Sequence, residues 1–501
     1  MRLPNHTATI MRELVLTDGQ HKQLLQALLS DHREAFAVLF CGCSATDTRE
    51  RLLTREVWAA PDSAYRIRQR DRLEIASPYV NDVVTHALAT GLHPVLVHSH
   101  PGNDPAFFSL ADDAGDRRLL AVLAQLLPGR IVASGVLTAN DMIVRSLSQP
   151  SMSHDARDVR DTAGHSGPNE AHECREFREF DGVRKIGPLF RRIGARGAAA
   201  YDTFDACDAR LLDRQLRALG ATAQGHLTRL RVAVIGAGGT GSATLEQLVR
   251  SGILDILLVD PDRFEPSNWG RVWGSQAAHA DLPEGERPLK VDVQVEHLLR
   301  IRPDVRLRTI VDSVVNETVL RELRDRDVVF CCTDNHLSRA VLNRLAHQHL
   351  VPVIDMGIRV DARCGVATAA SGRVSLVGPG LACLRCGNHL DTERVRAESM
   401  PAAERSRLAR DGYVIGLAEA VPSVVSLNTT VASLAVTACL SMFAGLTGGV
   451  PPVTQIYDAT TSQLFTVEPR HDEGCEVCAA DGVFALGDAQ RVSAYDTHRL
   501  E

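Results

Sequence analysis

The sequence predicts an α/β protein in two parts, an N-terminal α+β domain followed by a doubly wound domain on a parallel sheet. Three observations carry this. From about residue 200, short apolar runs alternate with helical stretches, the pattern of strands joined by crossover helices. Before residue 150, apolar runs sit on either side of a stretch with helical spacing. Between them lies a polar, aperiodic stretch rich in Ser, His, Asp, Arg and Gly. The expected organisation is one domain over 1–148, a linker over 149–200, and a second domain over 201–501. A polar linker of that kind predicts two bodies that share little packing.

In the first part, 34–42 (EAFAVLFCG), 94–98 (PVLVH) and 130–137 (RIVASGVL) read as buried strands, and 119–127 as helix. In the second part the order is strand 231–235 (RVAVI), a glycine-rich turn and helix 242–251. Strand 256–259, a helix near 291–301 and strand 328–331 follow. Helix 338–349 and strand 352–354 close the series.

Composition narrows the function. The 501 residues carry 55 Lys+Arg against 62 Asp+Glu, a net charge of −7, and only 4% aromatics, so no nucleic-acid partner is expected. No run of about 18 apolar residues stands out, so no membrane partner is expected. The N-terminal MRLPNHTATI lacks the apolar core of a secretory signal, which predicts a cytoplasmic protein. Twelve cysteines in so long a chain are too sparse for a disulfide scaffold and read as buried thiols or metal ligands.

The run HSHPGNDPAFFSLAD holds His98, His100, Ser109 and Asp112. Two histidines at i and i+2 on a strand point to one side, and an Asp at the start of the next helix can reach the same point. Two imidazoles and one carboxylate leave a fourth position open, the layout of a catalytic zinc. Glu34, a carboxylate in an apolar strand, is the candidate general base. This set resembles the JAB/MPN family with its JAMM zinc motif, over roughly 10–148. These are metallopeptidases that cut at the C-terminal tail of ubiquitin-like proteins. The resemblance implies that His98, His100 and Asp112 hold zinc, that Glu34 activates the water, and that Ser109 donates a hydrogen bond to the tetrahedral oxyanion.

Gly236, Gly238, Gly239 and Gly241 follow strand RVAVI and open a helix, so their backbone can approach phosphate at a helix N-terminus. Asp260, ending the second strand, suits ribose hydroxyls. The turn alone does not separate NAD from ATP. Asn268, Arg271, Lys290 and Asp334 tilt it to a triphosphate with magnesium, because hydride transfer needs no such charge set. This run resembles the Rossmann-like adenylation domain of the ThiF/MoeB/HesA family and of ubiquitin-activating enzymes, over about 201–480. The resemblance implies ATP, with Asp260 on the ribose, Asn268, Arg271 and Lys290 on the phosphates, and Asp334 on Mg2+. It also implies a homodimer in which Arg214, from DRQLRALG, reaches the neighbour's ATP. Arg214 and Arg271 are then the catalytic pair. The reaction joins the terminal carboxylate of a ubiquitin-like or sulfur-carrier protein to AMP.

Cys383, Cys386, Cys475 and Cys478 form two C-x-x-C pairs, which suit a closed structural zinc and match that family's zinc knuckle. Many activating enzymes place a catalytic cysteine after the first pair, but 387–422 contains none. Cys331 and Cys332 end a buried strand, Cys439 reads as helix core, and Cys364 sits on a strand. Either an acyl-adenylate passes to a partner cysteine, as on a conjugating enzyme, or Ser399 or Ser406 forms an oxyester. The combined expectation is a bifunctional enzyme, zinc peptidase and adenylyltransferase, working on one glycine-ending tail. Its rivals are an NAD-dependent oxidoreductase and a non-enzymatic scaffold for a ubiquitin-like partner.

Overall fold

The computed structural model describes residues 10–102, 104–148, 176–193, 206–364, 366–401, 404 and 422–492. The first part contains β1 (Met11–Thr17), α1 (Asp18–Leu28), β2 (Phe36–Ala45), β3 (Arg49–Ala59), β4 (Tyr65–Arg68), β5 (Leu73–Ile75), α2 (Ser77–Thr90), β6 (His93–Ser99), α3 (Leu110–Leu126), β7 (Ala133–Leu137) and β8 (Met142–Leu147). Strands β9 (Phe177–Glu179), β10 (Gly182–Ile186) and β11 (Arg191–Ile193) complete it. Apart from the small β4–β5 pair, these strands form one nine-stranded sheet in the order β11-β10-β1-β3-β2-β6-β7-β8-β9. The continuous apolar run of β2 arises because both its faces are covered. Ala37, Leu39 and Cys41 pack with Leu24 and Leu28 of α1. Phe36, Val38 and Phe40 pack with Val83 of α2 and Leu120 of α3.

The second part runs α4 (Ala206–Leu211), α5 (Asp213–Leu219), α6 (Ala221–Thr228), β12 (Arg231–Ile235), α7 (Gly239–Arg250), β13 (Asp255–Val259), α8 (Ala277–Asp281), α9 (Lys290–Ile301), β14 (Arg306–Ile310), α10 (Glu317–Leu323), β15 (Val328–Cys331) and α11 (His336–Gln348). It continues with β16 (Val353–Arg363), β17 (Val366–Val377), α12 (Thr392–Ser399), α13 (Val425–Ala444), β18 (Thr454–Asp458) and β19 (Gln463–Val467). The sheet order is β14-β13-β12-β15-β16-β17-β18-β19. Its first five strands are parallel and the last three antiparallel. Helices α7, α9 and α13 share a core with one face, and α10, α11 and α12 with the other. This is the doubly wound, Rossmann-like class expected, with an antiparallel extension.

Helix α13 bears on the expectation of no membrane partner. It runs 20 residues with no charged side chain and is long and apolar enough to span a bilayer. Here it is a core helix, with Leu427, Val431, Ala435 and Met442 buried against the sheet.

The linker expectation needs correcting. Residues 176–193 supply β9, β10 and β11, and β10 pairs in parallel with β1. Their polarity reflects a buried ionic dock between the two parts. Arg184 of β10 bonds Glu13 of β1 at 2.7 Å and Asp327 of the second part at 2.6 Å. Arg49 reaches Asp327 at 3.0 Å, and Arg51 donates to the Arg324 carbonyl at 2.9 Å. All five charged side chains are at most 6% exposed. Next to them Ser44 Oγ lies 2.9 Å from His349 Nδ1, and the Asp488 carboxylate accepts the Ala45 amide at 2.7 Å. The two parts therefore share a packed interface, contrary to two loosely tethered bodies. The remainder of 149–200 lies outside the described residues.

Candidate functional sites

The glycine turn stands at the C-terminal edge of the second sheet. Gly236 leaves β12 at φ +99°, where a side chain would be strained. A Cβ there would come within 2.9 Å of the Cys332 carbonyl, and one on Gly241 would collide with the Gly236 carbonyl. The turn thus closes tightly and sends the N-terminus of α7 toward the sheet edge. The buried Asp260 carboxylate accepts the amides of Ala237 at 2.6 Å and Asp262 at 2.8 Å. Burial raises its pKa, while Lys290 and those amides oppose the rise. Lys290 Nζ is 2.7 Å from Asp262. Asn268 is buried and caps its own turn by accepting the Glu265 amide at 3.0 Å. The Arg271 side chain passes beside Gly239. Asp334 is exposed just before the N-cap of α11, where Asn335 accepts the Ser338 amide at 2.8 Å.

The structure therefore gathers Gly236, Gly238, Gly239, Gly241, Asp260, Arg271 and Lys290 around one edge. Sequence reasoning missed Asn428 of α13, whose amide lies against Gly239 so closely that a Cβ would strike it. No motif spacing points to a residue so far downstream. Arg214 is exposed on α5. Its neighbour Gln215 donates to the Ser251 carbonyl at 2.8 Å, at the far end of α7 from the glycine turn. Twelve helical residues, about 18 Å, separate that end of α7 from the turn.

Four cysteine sulfurs of the second part converge. Sγ separations are 3.7 Å for Cys383–Cys386, 3.6 Å for Cys383–Cys475 and 3.5 Å for Cys386–Cys478. All four lie within 4.8 Å of one another. Disulfides need about 2.05 Å, whereas zinc–sulfur bonds of about 2.3 Å make a tetrahedron with edges of about 3.8 Å. The donor set fits a four-coordinate metal.

In the first part, His98 is the last residue but one of β6, opposite Phe36 of β2, and His100 directly follows the strand. Their Nε2 atoms are 3.2 Å apart. Asp112 Oδ1 is 3.1 Å from His98 Nε2, and its Oδ2 is 3.4 Å from His100 Nε2. The three ligand atoms fit one ion. Burial works against ionisation of Asp112, but hydrogen bonds from His100 and His98 hold its carboxyl well below the usual range. Glu34 precedes β2 rather than lying within it, and its Oε1 is 3.9 Å from His100 Nε2. Burial raises its pKa, with His98 and His100 opposing. Ser109 caps α3, and its hydroxyl donates to Asp112 Oδ2 at 2.7 Å. In this arrangement the hydroxyl orients the Asp112 carboxylate.

Burial pushes the Cys331 and Cys439 thiols up to about 12 and raises Cys332 as well. Cys364 is exposed at the turn between β16 and β17. Ser399 donates to the Arg396 carbonyl at 2.7 Å, and Ser406 lies outside the described residues.

Residues 212–477 match the ThiF family, and residues 18–148 match the prokaryotic homologs of the JAB domain. The chain belongs to the ThiF family and carries a JAB-type domain at its N-terminal side. The SAMP-activating enzyme E1 of Haloferax volcanii is 25% identical over 292 residues, covering 57% of this chain and 96% of the relative. Molybdopterin-synthase adenylyltransferase of Escherichia coli is 28% identical over 265 residues, covering 52% and 92%. A crystal structure of E. coli MccB with succinimide aligns at 17% identity and a TM-score of 0.43, over 55% of this chain and 75% of that one.

Proposed function

We propose that the chain is a bifunctional enzyme acting on the C-terminal tail of a ubiquitin-like or sulfur-carrier protein, adenylating it at one site and trimming it at the other. The observation that carries this is the convergence of the tight glycine turn, Asp260, Arg271 and Lys290 at one sheet edge, in a chain whose relatives are activating enzymes and adenylyltransferases. ATP, when bound, supplies the adenylyl group. Asp260 holds the ribose, while the turn amides, Asn268, Arg271 and Lys290 orient and neutralise the phosphates. Asp334 would hold magnesium. The tail carboxylate attacks the α-phosphorus and pyrophosphate leaves with the electron pair of the broken P–O bond. Arg214 cannot reach its own chain's turn along α7, which supports a homodimer in which it serves the partner's nucleotide.

At the second site His98, His100 and Asp112 would hold zinc, which supplies a polarised water. Glu34 accepts that water's proton and passes it to the leaving amine. Cys383, Cys386, Cys475 and Cys478 would hold a structural zinc. Burial raises the Cys331, Cys332 and Cys439 thiols, which favours release of the acyl-adenylate to a conjugating enzyme or other acceptor. ATP–pyrophosphate exchange, measured across a panel of glycine-ending ubiquitin-like and sulfur-carrier proteins, tests the adenylation. Exchange with none of them, from folded protein that binds ATP, would defeat it. Extended versions of the carriers, assayed for loss of residues beyond the glycine, test the trimming.

A further inference from the structure

Next to the glycine turn lies a second cluster of buried charge that the roles above leave unused. Asp355 of β16 is fully buried, and the register sets it level with Cys331 of β15 and Ile235 of β12. Arg373 of β17 bonds it at 2.6 Å, and Arg339 of α11 lies 3.5 Å away. Arg373 also donates to Ser375 Oγ at 2.8 Å, and Arg339 to the carbonyls of Thr333 and Met356 at 3.1 and 3.0 Å. These bonds fix both guanidinium planes. Two cations and one carboxylate leave the cluster with one net positive charge.

The two planes converge on Gly357, which is directly opposite Arg373 across the β16–β17 pair. The position a Cβ would take there is 3.4 Å from Arg339 Nη2, 3.5 Å from Arg373 Nη2 and 3.7 Å from Arg339 Nη1. Those are the nearest atoms, so the missing side chain leaves a cradle walled by cationic N–H groups. Asp355 Oδ1 and Arg339 Nε make no hydrogen bond among the described residues. Gly357 itself is half-buried, so the cradle is open on one side. Two strand spacings, about 10 Å, separate β16 from the strand that leads into the glycine turn.

We propose that Arg339 and Arg373, around the space left by Gly357, bind the terminal carboxylate of the protein tail that enters this domain. Guanidinium pairs match the planar, bidentate geometry of a carboxylate. An extended tail ending in glycine can bring its last carboxylate that close to the backbone. This inference rests on the proposed adenylation. The cradle reads the anionic carboxylate at the end of the tail, which an amide there lacks.

The test uses the full chain with the tripeptide Ala-Gly-Gly as the free acid, its C-terminal amide, and inorganic phosphate. Binding is followed through the Nε–H resonances of Arg339 and Arg373, assigned with Arg339→Lys and Arg373→Lys. The free acid should shift both resonances saturably, and the amide should bind at least about tenfold more weakly. Gly357→Ala fills the cradle with a methyl group at a position where the backbone is not left-handed. It should weaken the free acid by about tenfold or more while its melting temperature and ATP affinity stay as in the wild type. Equal binding of acid and amide, or unchanged binding by Gly357→Ala, overturns the proposal. So does inorganic phosphate displacing the peptide at lower concentration than the peptide itself binds. Carboxylate-dependent peptide binding without any carrier-dependent exchange supports the cradle while failing the adenylation reading, so the two stand or fall separately.

Discussion

Asp327→Ala removes the one carboxylate that Arg49, Arg51 and Arg184 all face. Among the described carboxylates, Glu13 and Asp325 then remain against three guanidinium groups that are each at most 6% exposed. The Arg231 amide, which donates to Asp327 at 2.9 Å, is also left without that acceptor. Breaking a buried ionic contact by deleting one partner costs about 3–5 kcal/mol, a large share of a net stability of about 5–15 kcal/mol. For a domain of this size that is a fall of about 6–20 °C in melting temperature. Calorimetry should show the wild type unfolding cooperatively and the variant splitting into two transitions as the parts undock. The same carboxylate makes stability depend on pH. Burial disfavours its charge, but Arg184, Arg49 and Arg51 outweigh that and hold its pKa far below the ordinary value. Its contribution is therefore full above the unfolded value of about 3.9 and is lost as pH falls below it. The variant should show a flatter acid limb. A loss below about 1 kcal/mol, with a single transition retained, would refute the claim that this network fastens the two parts.

Glu34→Gln should lower tail trimming by about 10²–10⁴-fold, since a proton acceptor is lost. Pyrophosphate exchange on a pre-trimmed carrier should remain, and its loss from a folded variant would sink the assignment. Asp334→Ala and Arg214→Ala should each abolish exchange. Mixed and allowed to exchange subunits, the two should recover part of it, and no recovery in a proven dimer would exclude the shared site. Cys478→Ser should release one metal per chain by elemental analysis and loosen the segment leading to Asp488, read as faster amide exchange at Ala45. Unchanged metal content would rule out the four-cysteine site.

The parallel strands were legible because apolar runs bounded by turns leave few other readings. Strands β12 and β15 stand where the sequence places them. The antiparallel extension was less so, since β19 is exposed along its whole length and lacks a buried face. Strand β10 was hidden for a physical reason: Arg184 makes it look solvated, yet its partners Glu13 and Asp327 come from distant parts of the chain. Metal candidates were legible from spacing, and the structure brings His98, His100 and Asp112 together as well as the four cysteines. Asp355 carried the same signal as Glu34, a lone carboxylate in an apolar strand. Its partners Arg339 and Arg373 are set by tertiary packing and no local pattern announces them.

The dock has a logistical consequence. It grips the Ala45 end of β2, whereas His98 pairs with the Phe36 end, about 30 Å away along the strand. On the other side it grips β12 at Arg231, and the glycine turn follows Ile235. Each site thus opens at the end of its sheet that points away from the seam. On the proposed chemistry, a carrier trimmed at one mouth would have to let go before reaching the other mouth of the same chain. It would then mix with other free carriers before being activated. On the proposed chemistry, fusing the two activities would not channel a substrate. It would fix their dosage at one to one, so that each round of synthesis delivers trimming and activation capacity in step.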